Sequence, residues 1–126
     1  MADFKKAWEI TSRNEGGYVN NSKDRGGETY RGVSIVHWPD WEGWPVVHTA
    51  IQELRIESTL DAGKEIWLGI TEILSGNENL DALVQEFYKK NFWDVLDLDR
   101  ESEQRLANDS FDTAVNMGVG EAKKII

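Results

Sequence analysis

Glycine placement sets the strongest limit on how this chain can fold. Five of its eleven glycines fall between positions 16 and 32, at Gly16, Gly17, Gly26, Gly27 and Gly32. A helix does not continue through such a run, because each glycine costs about 1 kcal/mol relative to alanine in a helix interior. Ahead of it, Phe4, Ala7, Trp8 and Thr11 recur at helical spacing behind Asp3, a good N-cap residue. The pattern predicts an amphipathic helix over 3–15, closed at Gly16-Gly17 by left-handed glycine. Within the glycine-rich stretch, β-favouring pieces around Tyr18-Val19 and from Thr29 to Val36 predict a small hairpin or loop-rich lobe.

Residues 37–45 hold both prolines and three of the six tryptophans, Trp38, Trp41 and Trp44. No regular element fits them, so they are expected to form an ordered surface loop. The three indoles could stack on sugar rings or staple the loop to the body, and the structural role is favoured. From 46 to 74 the pattern is helical but broken near Gly63, which suggests two helices. Asn79 is placed to cap the next helix, whose apolar face is Leu80, Leu83, Val84, Phe87, Tyr88 and Phe92. A last helix is expected over 101–115. At 126 residues the chain has room for one domain, mainly α with a small β lobe.

Composition removes several function classes. There is no cysteine, so thiolate ligands and a thiol nucleophile are absent. His37 and His48 lie eleven apart and form no zinc-hydrolase pattern. The formal net charge of −9 opposes binding to nucleic acid or to an anionic surface. The N-terminus has no apolar run behind its lysines, hence neither a secretory signal nor a membrane span is expected there. The acidic run Asp97, Asp99, Glu101, Glu103 has Ser102 and Asn108 where a calcium loop needs glycine and glutamate. No metal or other cofactor is expected.

Chemistry concentrates just after the first helix. Glu15 would stand at that helix's C-terminal end, where the negative dipole opposes ionisation. Burial against Tyr18 or Trp93 would raise its pKa further. A carboxylic acid kept protonated near neutral pH is what glycosidic cleavage requires, because the leaving oxygen must receive a proton. Asp24 follows nine positions later and Thr29 five after that. A hairpin returning past the helix end could bring both near Glu15, with Asp24 as ionised partner and Thr29 holding water. Each also has a plain reading: Glu15 before a helix stop, Asp24 in an Asx turn, Thr29 as a strand residue. Should Asp24 be structural, the acidic partner would be sought at Glu28, Asp40 or Glu42.

The run Glu15-Gly-Gly-Tyr-Val-Asn-Asn21, followed by Asp24-Arg-Gly-Gly-Glu-Thr-Tyr-Arg-Gly-Val33, resembles the signature of glycoside hydrolase family 108. Two further stretches resemble that family: Tyr88-Lys-Lys-Asn-Phe-Trp93, and Phe111-Asp-Thr-Ala-Val-Asn-Met-Gly118. The resemblance implies a lysozyme-like domain with a cleft between the β lobe and the helical body. It implies N-acetylmuramidase activity on peptidoglycan glycan strands, with Glu15 as general acid and Asp24 and Thr29 assisting. Tyr18, Tyr88, Trp93 and Asn116 become candidate substrate-binding residues, although core packing or backbone capping also suits the last three. Ser22 and Arg25 depart from the usual proline-containing pattern, and the Trp-rich loop resembles an insertion.

On this reading 1–96 form the catalytic part of one domain, and 104–126 begin a shortened peptidoglycan-binding region. Its apolar end is expected to fray or to pair with a second copy as a homo-oligomer. The enzyme would reach the wall with the help of another exporting factor. A non-catalytic wall-binding or secretion-activator protein and a lytic transglycosylase are the alternatives.

Overall fold

The structure is a computed structural model that describes residues 1–14 and 16–125; Glu15 and Ile126 lie outside the described residues. The described helices are α1 (Phe4–Thr11), α2 (Gly43–Glu53), α3 (Lys64–Ser75), α4 (Glu78–Tyr88), α5 (Gln104–Met117) and α6 (Val119–Ala122). Three short strands, β1 (Tyr18–Asn20), β2 (Glu28–Tyr30) and β3 (Val33–Ser34), form one antiparallel sheet in that order. The fold is therefore mainly helical with a small β lobe, as the resemblance implied. None of the described helices is long and apolar enough to cross a membrane. The chain's contacts separate into two units, Met1–Asn14 with Gln85–Ile126, and Glu15–Val84.

In the first unit, Asp3 caps α1 by accepting from the Lys5 N–H at 3.0 Å. The helix ends at Thr11, earlier than expected, and tightens into a 3₁₀ turn over Ser12–Asn14. Ser12 and Asn14 favour such endings because their side chains compete for backbone hydrogen bonds. The predicted apolar face of α1 is buried, namely Phe4, Ala7, Trp8 and Thr11. Its main partner is α5, where Phe4 meets Phe111 and the Thr11 hydroxyl donates to Asp112 Oδ1 at 2.9 Å. Phe4, Trp93 and Phe111 meet edge to face, with centroids 5.4–5.9 Å apart. Edge contacts of this kind add about 0.5–1.5 kcal/mol per pair beyond burial.

The helix expected to reach Phe92 instead ends at Tyr88 and widens into a π turn over Lys89–Trp93. Trp93 is thereby fully buried, and its indole N–H reaches Asp99 Oδ1 at 2.8 Å. The last long helix begins at Gln104, three residues later than expected, because Glu103 is extended and occupies its N-cap. Gly118, at φ +102°, then turns the chain into α6. In the C-terminal segment Ala122 is buried and Ile125 exposed.

The second unit carries the sheet on α2 and α3. The Trp-rich segment is partly helical, contrary to the expected loop: α2 starts at Gly43 and takes in Trp44 and Pro45. Pro45 is accommodated because first-turn N–H groups have no intrahelical partner. Two of the tryptophans do staple this corner. Trp44 is buried and donates its indole N–H to the Trp38 carbonyl at 3.1 Å, and Trp41 packs edge-on against it at 5.5 Å. A Cβ on Gly43 would sit 2.3 Å from the Trp41 ring, so only glycine fits beneath it. Gly63, at φ +103°, breaks the helical run where expected. The cap of α4 is Asn77, not Asn79: its Oδ1 accepts from the Leu80 N–H at 3.0 Å. Asn79 lies inside the helix, two residues too late to serve.

Candidate active site

The β lobe is a hairpin whose register decides which side chains can work together. Tyr18 pairs with Tyr30, Val19 with Thr29 and Asn20 with Glu28, while Thr29 also pairs with Ser34. Successive strand residues face opposite ways. One face therefore carries Tyr18, Asn20, Glu28, Tyr30 and Val33, of which Tyr18, Tyr30 and Val33 are buried. The other carries Val19, Thr29 and Ser34, all half-buried. Thr29 thus lies half-buried on the face opposite the buried Tyr18 and Tyr30. Its hydroxyl donates to the Gly27 carbonyl at 3.2 Å.

Asp24 is exposed in the turn between β1 and β2. Its Oδ1 accepts from the Gly26 N–H at 2.9 Å, which is the Asx-turn geometry of the plain reading. The turn is tightened by Asp24 N–H to the Asn21 carbonyl and by Gly27 N–H to the Asp24 carbonyl. From below, Asp61 holds the preceding residues: its two oxygens accept from the Ser22 N–H at 2.9 Å and the Ser22 hydroxyl at 2.7 Å. These hydrogen bonds hold the Asp61 carboxyl below its ordinary range, so it stays an acceptor. Asp24 is consequently mounted on a fixed turn, and its second oxygen has no hydrogen-bond partner among the described residues.

Gly26 makes room at the centre of this cluster. A Cβ there would come 3.0 Å from Ser34 Oγ and 3.5 Å from Asp24 Oδ1. Ser34 donates to the Gly26 carbonyl at 2.6 Å, and His37 Nδ1 lies 3.1 Å from the same hydroxyl. Asp24, Gly26, Ser34 and His37 thus form one polar rim beside Thr29. Sequence reading placed Asp24 and Thr29 together but did not see that Ser34 and His37 join them. The β3 pairing that does so leaves no separate mark in the sequence.

The inner face carries a second network that the sequence concealed. The Tyr18 hydroxyl donates to Glu28 Oε2 and contacts the Thr59 hydroxyl at 2.8 Å. Glu28 Oε1 lies 2.6 Å from His48 Nε2, and Asn20 reaches Thr59 at 3.0 Å. Burial and then the adjacent Glu28 push the Tyr18 phenol well above its ordinary range, and burial does the same to Tyr30. Both oxygens of Glu28 are engaged here, so it ties β2 to α2. Strand alternation could have put Tyr18 and Glu28 on one face; nothing local announces His48 or Thr59.

Tyr18, a candidate for substrate contact, has 1 % of its surface accessible and is engaged with Glu28 and Thr59 on the inner face of the hairpin. Tyr88 is buried beside Trp8, with ring centroids 5.1 Å apart, and Trp93 lies in the Phe4–Phe111 cluster. Asn116 is exposed and donates to the Asp112 carbonyl one helical turn back at 2.9 Å. Glu15 lies outside the described residues. Just after it the chain is firmly held: Tyr18 N–H donates to Thr71 Oγ1 at 2.8 Å, and Gly17 O accepts from Arg31 N–H at 3.2 Å. Among the described residues no three His, Asp or Glu side chains gather as a metal site would require.

The family described as Glycosyl hydrolase 108 matches residues 8–118 of the chain. No curated protein and no solved structure matches it.

Proposed function

Because this chain belongs to glycosyl hydrolase family 108, we propose that it is an N-acetylmuramidase that cuts the β-1,4 bond between N-acetylmuramic acid and N-acetylglucosamine in peptidoglycan. Glu15 is the general acid that protonates the leaving oxygen. Asp24, fixed by the Gly26 N–H, stabilises positive charge at the sugar or orients the attacking water. Thr29, on the half-buried face of the same hairpin, helps hold that water. The observation that carries the reading is this mounting of Asp24 and Thr29 on one braced hairpin, directly downstream of the Glu-Gly-Gly run. Tyr18 braces the hairpin from inside. Tyr88 and Trp93 supply the packed body, and Asn116 remains a candidate for contact with an adjoining sugar. The substrate of this reading lies in the bacterial cell wall.

Mass spectrometry of fragments released from purified peptidoglycan, by the unsubstituted protein and by Glu15→Gln, tests this. A hydrolase leaves reducing muramic acid ends. A lytic transglycosylase leaves anhydro ends one water lighter, and a non-catalytic wall protein releases nothing. Glu15→Gln keeps the shape but cannot donate the proton, so release should drop by about a hundredfold or more. A folded Glu15→Gln protein that keeps its turnover removes Glu15 from the mechanism.

A further inference from the structure

The polar rim continues past Ser34 into a feature that the hydrolytic machinery does not use. Ser34 has one hydroxyl proton, and the 2.6 Å contact with the Gly26 carbonyl consumes it. The His37 ring nitrogen 3.1 Å from the same oxygen must then be the donor. Neutral His37 is thereby fixed as the Nδ1–H tautomer, with its Nε2 lone pair turned away from Ser34. His37 is exposed, so that lone pair can accept from a ligand hydroxyl.

Trp38, the next residue, is held at both ends of its peptide. Its N–H donates to the Ser34 carbonyl at 2.8 Å, and its carbonyl accepts from the Trp44 indole at 3.1 Å. Trp41 and Trp44 close the corner behind it, whereas Trp38 keeps 38 % of its surface in contact with solvent. A partly exposed indole on an anchored peptide, next in the chain to an exposed hydrogen-bond acceptor, suits a pyranose: the indole stacks on the ring while a hydroxyl reaches the imidazole.

We propose that His37 and Trp38 form a sugar-binding subsite, continuous through Ser34 with the Asp24–Thr29 hairpin, that holds a residue of the same glycan away from the cleaved bond. Trp38 stacks on the sugar and His37 Nε2 accepts one of its hydroxyl protons. The inference rests on the muramidase reading, since it assigns a further sugar to that substrate.

The experiment compares cleavage of a soluble tetramer and a soluble octamer of the alternating N-acetylglucosamine–N-acetylmuramic acid chain. The variants are Trp38→Ala, Trp38→Phe and His37→Ala, with Glu15→Gln alongside. Trp38→Ala should raise KM for the octamer about fivefold to tenfold, the range of one aromatic contact. Its kcat should hold, and the tetramer should be affected less. Trp38→Phe, which retains a ring, should recover most of the octamer KM, and His37→Ala should give a smaller change of the same kind. Equal losses on both lengths, or a fall in kcat or thermal stability that Phe restores without any KM effect, would mean that Trp38 only packs the corner, and the subsite is refuted. An unchanged octamer KM with Glu15→Gln inactive refutes the subsite alone. Failure of the unsubstituted protein to cleave either chain refutes the muramidase reading and the subsite with it.

Discussion

Replacing Gly17 by alanine puts the local architecture after Glu15 to a quantitative test. Gly17 has no need of a left-handed conformation; the objection to a side chain there is space. A Cβ would stand 2.3 Å from Thr71 Oγ1, 2.4 Å from Cγ2 and 2.9 Å from Cβ. Thr71 cannot simply rotate away, because its hydroxyl accepts from Tyr18 N–H at 2.8 Å and donates to the Trp67 carbonyl at 2.8 Å. Overpacking a fitted site costs about 1–3 kcal/mol. Displacing Thr71 also strips the Tyr18 N–H of its partner, for about 1–3 kcal/mol more. Gly17→Ala should therefore destabilise by roughly 2–6 kcal/mol. Thr71→Ala alone should cost about 1–3 kcal/mol through the lost hydrogen bond.

The double variant is the informative one. Removing Oγ1 and Cγ2 deletes the two closest obstacles, so the combined cost should fall short of the sum by on the order of 1 kcal/mol or more. Urea denaturation of the four proteins, checked for a common slope, gives these values. Strict additivity, or a Gly17→Ala protein within about 0.5 kcal/mol of the parent, would show that the contact between β1 and α3 is not the restraint described.

Phe111→Ala, which empties the centre of the Phe4–Trp93 cluster, should cost about 3–5 kcal/mol in the same urea measurement; a loss below about 1 kcal/mol would contradict close packing there. The raised pKa values of Tyr18 and Tyr30 mean that the folded state holds their protons more tightly than the unfolded chain does. Stability from both is complete below the ordinary tyrosine range and drains away as pH climbs above it. Absorbance at 295 nm should accordingly show both phenols ionising late and together with unfolding, and early, reversible titration of all three tyrosines would refute this. Asp24→Asn should keep the fold, because the amide oxygen can still accept the Gly26 N–H, while activity on peptidoglycan drops by about tenfold or more. Full activity would leave Asp24 as a turn residue only.

The sequence by itself determined the elements and the family. The 3.6-residue spacing of Phe4, Ala7, Trp8 and Thr11 and the break at Gly63 are local signals, and local backbone preferences are what place helices and turns; the expected stop at Gly16-Gly17 did not hold, since α1 ends at Thr11 and Gly17 is not left-handed. The run at 15–33 and the stretches at 88–93 and 111–118 carried the resemblance that the family match over 8–118 bears out. Boundaries were less legible. Asn77 and Asn79 are equally good caps in isolation, and only the packing of Leu80 into the core selects Asn77. Trp93 and Tyr88 look alike whether they line a substrate groove or a core, since apolar area is buried in either case; the fold put both inside.

Tertiary structure alone decided the two faces of the β lobe. Strand register sends Glu28 inward to Tyr18 and His48, and leaves Thr29 and Ser34 on the opposite side with Asp24 and His37. A shift of one residue would exchange those faces, because side chains alternate along a strand. The register depends on partners 20 to 53 positions away, His48 for Glu28, Thr59 for Tyr18 and Asn20, Thr71 for the Tyr18 amide. Hydrogen bonds across such separations leave no periodicity for a sequence to display, and they exist only once the chain has closed on itself.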